Sequence, residues 1–69
     1  MKIQDPARIG RKLRDLRGDK SCQEVADALQ LTRVAISQYE RGERVPRDDI
    51  KVKLAEYYGQ TVQDIFFSL

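Results

Sequence analysis

The chain has 69 residues, a formal net charge of +2, 41% apolar residues, one cysteine and no histidine. That length supports one small domain, residues 1–69, burying about 60% of its unfolded surface. Cys22 alone cannot form an internal disulfide, and without histidine the usual metal ligand and general base are missing, so no enzyme, metal site or cofactor is expected.

No apolar run approaches the ~20 residues of a membrane span, and Asp5 and Pro6 break the amino terminus, so a cytoplasmic protein without a signal peptide is expected. The small net charge says little about partners, but its distribution is uneven. Residues 1–20 hold seven basic and three acidic side chains, residues 32–47 four and two, and residues 48–69 two and four.

Taken in order, Met1 to Gln4 reads as a frayed tail, with Ile3 able to cover the core edge. Asp5 caps a first helix that Pro6 can enter without losing a needed donor, and Ile9, Leu13 and Leu16 repeat along one buried face. Gly10 inside this helix costs about 1 kcal/mol relative to alanine, which points to close backbone approach by a neighbour, a merely tolerated glycine being the plainer alternative. Arg17 to Lys20 is a turn; its Arg-Gly-Asp string is not read as an adhesion motif, because no secretion signal is expected. Ser21 then caps a short second helix through the amides of Gln23 or Glu24, with Val25, Ala26 and Leu29 on one face.

After Gln30 and Leu31, Thr32 caps a third helix carrying Ala35, Ile36 and Tyr39 up to Gly42, a usual stop residue. Two amphipathic helices with so short a link must cross steeply, Ala26 permitting close approach while Leu31 and Ile36 point into the shared core. Pro46 forces Val45 out of helical geometry, making Gly42 to Pro46 a loop. A fourth helix starts at Arg47 or Asp48, buries Ile50, Leu54, Ala55 and Tyr58, exposes Lys51, Lys53 and Glu56, and stops at Gly59. Thr61 caps a last short helix with Val62, Ile65 and Phe66 facing the core. Nothing alternates with period two, so the chain is predicted to be all-α with five helices.

The third helix keeps Arg33, Val34, Ser37, Gln38 and Arg41 for its outer face. Such a face suits a major-groove recognition helix, with Arg33 and Gln38 placed for guanine and adenine edges respectively. An ordinary solvated face is the plainer alternative. Val34 is apolar and β-branched, and contributes little facing water, so it meets either a thymine methyl or the second helix. Ser37 either bonds a phosphate or base, or is a neutral spacer.

The stretch Cys22 to Arg41 resembles the helix-turn-helix of Cro/repressor-type (XRE) regulators, phage or prophage proteins among them. Ala26, Leu31, Ile36 and the Tyr39-Glu40-Arg41-Gly42 ending stand where that motif expects them. The wider resemblance spans about Ile9 to Phe66, including the RGERVPR loop and the IKVKLAEYYG segment, and implies a five-helix, lambda-repressor-like DNA-binding domain. Two positions depart from the pattern. Gln30 stands where the turn usually has glycine, so it should take a left-handed conformation at about 1 kcal/mol. Cys22 stands where the second helix usually opens with a phosphate-binding glutamine, which leaves that contact to Cys22 itself or to Gln23.

The resemblance further implies that Arg41, Arg44 and Arg47 hold the phosphate backbone, with Arg47 able to reach the minor groove, although surface arginines can also serve solubility alone. It implies that Glu40 pairs with an arginine of the first helix, Arg14 being the first choice and Arg11 or Arg17 the alternatives. The expected function is a sequence-specific, double-stranded-DNA-binding transcriptional regulator that represses by occupying an operator. An antitoxin-type module that binds a toxin and autoregulates is the alternative. One recognition helix reads few base pairs, so a homodimer on an inverted repeat is expected. Phe67 and Leu69 lack an evident partner in the same chain and are candidate dimer contacts, unless they fold back onto Ile3 or Leu13.

Overall fold

Three of the five expected helices open on a side-chain cap and end next to a residue with positive φ, which fixes their boundaries closely. The computed structural model describes residues 5–67. Helix α1 runs Pro6–Arg17, with the Asp5 carboxylate accepting from the Ala7 amide at 3.1 Å. Helix α2 runs Cys22–Leu29 behind a complete capping box: Ser21 Oγ accepts from the Glu24 amide at 3.0 Å, and Glu24 Oε1 accepts from the Ser21 amide at 3.3 Å. Thr32 Oγ1 accepts from the Ala35 amide at 3.1 Å to open α3, Arg33–Glu40. Helix α4 runs Asp48–Tyr58, with Arg47 as its N-cap residue. Helix α5, Gln63–Phe67, is one wide turn with i→i+5 bonding, and Thr61 Oγ1 accepts from the Asp64 amide at 3.0 Å.

Helices α2, α3 and α4 end alike. In each, an amide beyond the end reaches back five residues: Leu31 to Ala26 at 2.8 Å, Glu43 to Gln38 at 2.9 Å and Gln60 to Ala55 at 2.9 Å. That closure needs one left-handed residue, supplied by Gln30 at φ 58°, Gly42 at φ 74° and Gly59 at φ 67°. Among the described residues Gln30 alone adopts positive φ without being glycine, as the resemblance implies.

The core joins all five helices through Ile9, Leu13, Val25, Ala26, Leu29, Ile36, Tyr39, Ile50, Leu54, Ala55, Ile65 and Phe66. Helix α3 packs against both α1 and α2, α5 closes over α1, and α4 lies against α2. At Gly10 the closeness foreseen from the sequence is explicit. A Cβ there would stand 2.8 Å from the Tyr39 carbonyl oxygen and from the Glu40 carbonyl carbon, so α3 rests directly on the α1 backbone.

Two expectations about side chains are corrected. Lys51 is not solvated but 5% exposed. Its position shares the α4 stripe of Leu54, Ala55 and Tyr58 at offsets of three, four and seven. The ammonium lies 5.7 and 5.1 Å from the Phe66 and Phe67 ring centroids and 3.6 Å from Asp48 Oδ1. Phe67 accordingly has a partner in its own chain and packs half-buried against the core, because the wide α5 turn carries its ring back under Lys51. Leu69 and Ile3 lie outside the described residues.

Candidate nucleic-acid interface

The inner side of α3 is closed by contacts within the chain. Ile36 and Tyr39 are buried, and Glu40 is held by Arg17, whose Nε and Nη2 donate to Oε2 at 2.7 Å and Oε1 at 3.0 Å. The Glu40 side chain is 7% exposed and that of Arg17 16%. This corrects the partner: Glu40 pairs with Arg17, and Arg14 is exposed. Arg17 lies seven residues after Gly10 and four after Leu13, hence on the α1 stripe that α3 covers, while Arg14 is rotated off it. Helical side chains also lean toward their own N-termini, which brings Arg17 and Glu40 together.

Arg17 donates a further bond to the Lys20 carbonyl at 2.6 Å, tying the α1–α2 turn to the same pair. Its hydrogen bond to Glu40 raises its pKa further, so the guanidinium stays charged. Cys22 completes the seam. Its thiol lies 3.9 Å from Glu40 Oε1 and is half-buried, so it faces the ion pair instead of a backbone phosphate. Tyr58 stands beside this seam, and burial, reinforced by the Glu40 carboxylate, pushes its phenol up to about 12.

The outer side of α3 is open. Arg33 and Arg41 are exposed at its two ends, Ser37 and Gln38 are half-buried between them, and Val34 is 59% exposed. That exposure decides between the two readings of Val34: it does not pack against α2. No acidic residue occupies the first turn of α3, so Arg33 stands at the positive end of the helix dipole, where it adds nothing to helix stability. The combination favours an anionic surface in front of α3.

Arg44 and Arg47 are exposed along the loop beyond α3. Arg47 Nη2 lies 3.6 Å from Asp49 Oδ2 and Arg41 Nε lies 3.3 Å from Glu43 Oε2. Both are surface ion pairs of small net worth, readily exchanged for phosphate. Arg44 lies over the Tyr39 ring and donates to Gln38 Oε1 at 3.4 Å, a link that spacing alone does not reveal because it crosses from helix to loop. Gln23 is exposed at the first turn of α2, with Nε2 donating to Asp27 Oδ1 at 2.8 Å. The structure thus gathers Arg33, Val34, Ser37, Gln38 and Arg41 on one helix face, with Gln23, Arg44 and Arg47 on exposed positions of α2 and the loop.

This arrangement matches known proteins over most of its length. A family described as "Helix-turn-helix domain" matches residues 8–65. Among solved structures, the DNA-binding domain of BldD is similar with a TM-score of 0.75 at 30% identity, covering 96% of this chain and 99% of that one. The S. venezulae BldD DNA-binding domain gives 0.75 at 30% identity, over 90% and 96%. ClgR, the clp gene regulator from Corynebacterium glutamicum, gives 0.78 at 26% identity, covering 87% of this chain and 66% of that one. No curated protein matches significantly.

Proposed function

The chain belongs to the helix-turn-helix domain family and is a DNA-binding transcriptional regulator, and from that premise we propose that it is a Cro/repressor-type protein that represses by occupying an operator. The observation that carries this reading is the asymmetry of α3. Its inner side is closed by the core and by Arg17–Glu40, while its outer side holds an exposed Val34 among polar and cationic neighbours. Occupancy of a promoter-overlapping site needs no chemistry beyond binding through such a face.

In this reading Arg33 and Gln38 bond base edges, Val34 meets a thymine methyl and Ser37 allows the helix to approach closely. Arg41 and Arg47 fix the domain on the phosphates, with Gln23 adding a contact from the first turn of α2. The role is binding without catalysis, and the site of action is the nucleoid within the cytoplasm. No helix among the described residues is long and apolar enough to cross a membrane.

A single recognition helix samples too few base pairs to find one operator among a genome's competing sites. Two copies related by a two-fold axis would read an inverted repeat with half-sites about 10 base pairs apart. Selection of bound duplexes from a random pool tests this reading directly. An inverted repeat of that spacing, bound by two chains in sedimentation, is the expected result; a lone half-site bound by one chain would overturn the dimer. Occupancy predicts that placing the selected site over a promoter lowers transcription in a purified system, and increased transcription would reverse the sign assigned here.

A further inference from the structure

Gln38 and Arg44 stand on α3 and on the following loop, yet their side chains meet, Arg44 Nη1 donating to Gln38 Oε1 at 3.4 Å. Two other contacts keep them in register. The Arg44 guanidinium lies 5.9 Å from the centroid of the Tyr39 ring, within cation–π range, and Tyr39 is itself buried in the core. The Glu43 amide, one residue before Arg44, donates to the Gln38 carbonyl at 2.9 Å, so the loop is fastened to the same residue that Arg44 contacts.

A guanidinium carries five donors and no acceptor, whereas a glutamine amide carries two donors on nitrogen and an acceptor on oxygen. Arg44 can therefore bond only the oxygen end of Gln38. That contact selects one of the two amide orientations and leaves the NH2 group as the free end. Adenine presents an N7 acceptor beside an N6 donor and engages both ends of a glutamine, while guanine presents N7 and O6, two acceptors. With a cation on its oxygen, Gln38 offers guanine its two N–H donors, and the charge of Arg44 attracts O6 while opposing the N6 amino group of adenine.

We propose that Arg44 is a specificity-determining residue acting through Gln38, turning the pair into an all-donor reader that prefers guanine to adenine at the base pair facing Gln38. The inference rests on Gln38 being a base reader. Without Arg44 the amide oxygen is released, and adenine becomes the better match.

Selection from a random duplex pool with the full chain and with Gln38→Ala, Arg44→Ala and Arg44→Met tests it, each variant first checked by thermal melting. Arg44→Met keeps an apolar stem for the Tyr39 ring while removing every donor. The parent should enrich guanine at one position per half-site, and Gln38→Ala should erase the preference there. Both Arg44 variants should turn that position toward adenine, the guanine-over-adenine ratio falling by about tenfold or more.

If the Arg44 variants weaken all duplexes by a common factor and keep the parent's preferences, while Gln38→Ala still erases one position, Arg44 is a phosphate contact and only this inference falls. A parent that enriches adenine at that position overturns it too. If Gln38→Ala erases no position, the base-reading role of Gln38 falls, and this inference with it.

Discussion

The two sides of α3 differ in how their polar groups are engaged. Along the inner seam Glu40 is held by two charge-assisted hydrogen bonds from Arg17, the Cys22 thiol closes on the same carboxylate, and Gly10 brings the α1 backbone against the end of the helix. Along the outer side Arg33 and Arg41 are exposed and Val34 faces solvent. A helix locked on one side, and engaged on the other only by exposed contacts to the following loop, can present its side chains in a fixed geometry, which lowers the ordering cost of binding. Under the proposed function the seam therefore serves recognition as much as stability, although none of its residues needs to touch DNA.

The largest effect that can break this contrast is at Glu40. Removing it leaves the part-buried Arg17 guanidinium unpaired, and Glu40→Ala should lower unfolding free energy by about 3–5 kcal/mol in a denaturant titration, a large share of what so small a domain possesses. A variant that unfolds at the parent's midpoint would show that the pair does not hold α3. Next is Gly10→Ala, whose new Cβ meets backbone that cannot yield locally. It should destabilise by about 1–3 kcal/mol, despite alanine's better helix propensity; a gain in melting temperature would mean that α1 and α3 are farther apart than described.

On the outer side the expected effects fall on DNA and leave the fold intact. Arg47→Ala should melt like the parent, weaken binding to all duplexes similarly and lower the slope of log affinity against log salt by about 0.9. An unchanged slope places Arg47 off the backbone. The smallest effect sharpens the seam through pH. Burial and the Glu40 carboxylate raise the Tyr58 phenol from 10.0 to about 12, so the fold favours the neutral form. Its contribution is complete below pH 10 and is lost as pH rises toward 12. Melting temperature should drop across that window, and Tyr58→Phe should flatten the drop; an equal drop in the variant assigns it to other groups.

Much of this molecule was legible in its residues because the signals are local. Asp5, Ser21 and Thr32 cap helices where their side chains can reach amides two or three residues on. The stop at Gly42 follows from the same short-range geometry, whereas the left-handed Gln30 came from the resemblance, whose turn usually has glycine there. The apolar offsets along α1 to α4 gave the core, and the outer face of α3 is what remains of an eight-residue helix once Ile36 and Tyr39 are turned inward.

What the residues could not decide were choices among equivalent neighbours. Three arginines of α1 stood within reach of Glu40, and only the rotation of α1 under α3, set by the Gly10 contact, selects Arg17 over Arg14. Lys51 reads as a solvated lysine until α5 places two phenylalanine rings beneath it, and the same placement gives Phe67 a partner in its own chain. Caps, turns and periodicity act over a few residues and are written in sequence order. The identity of a partner across a helix seam depends on distances between segments that only the packed core fixes.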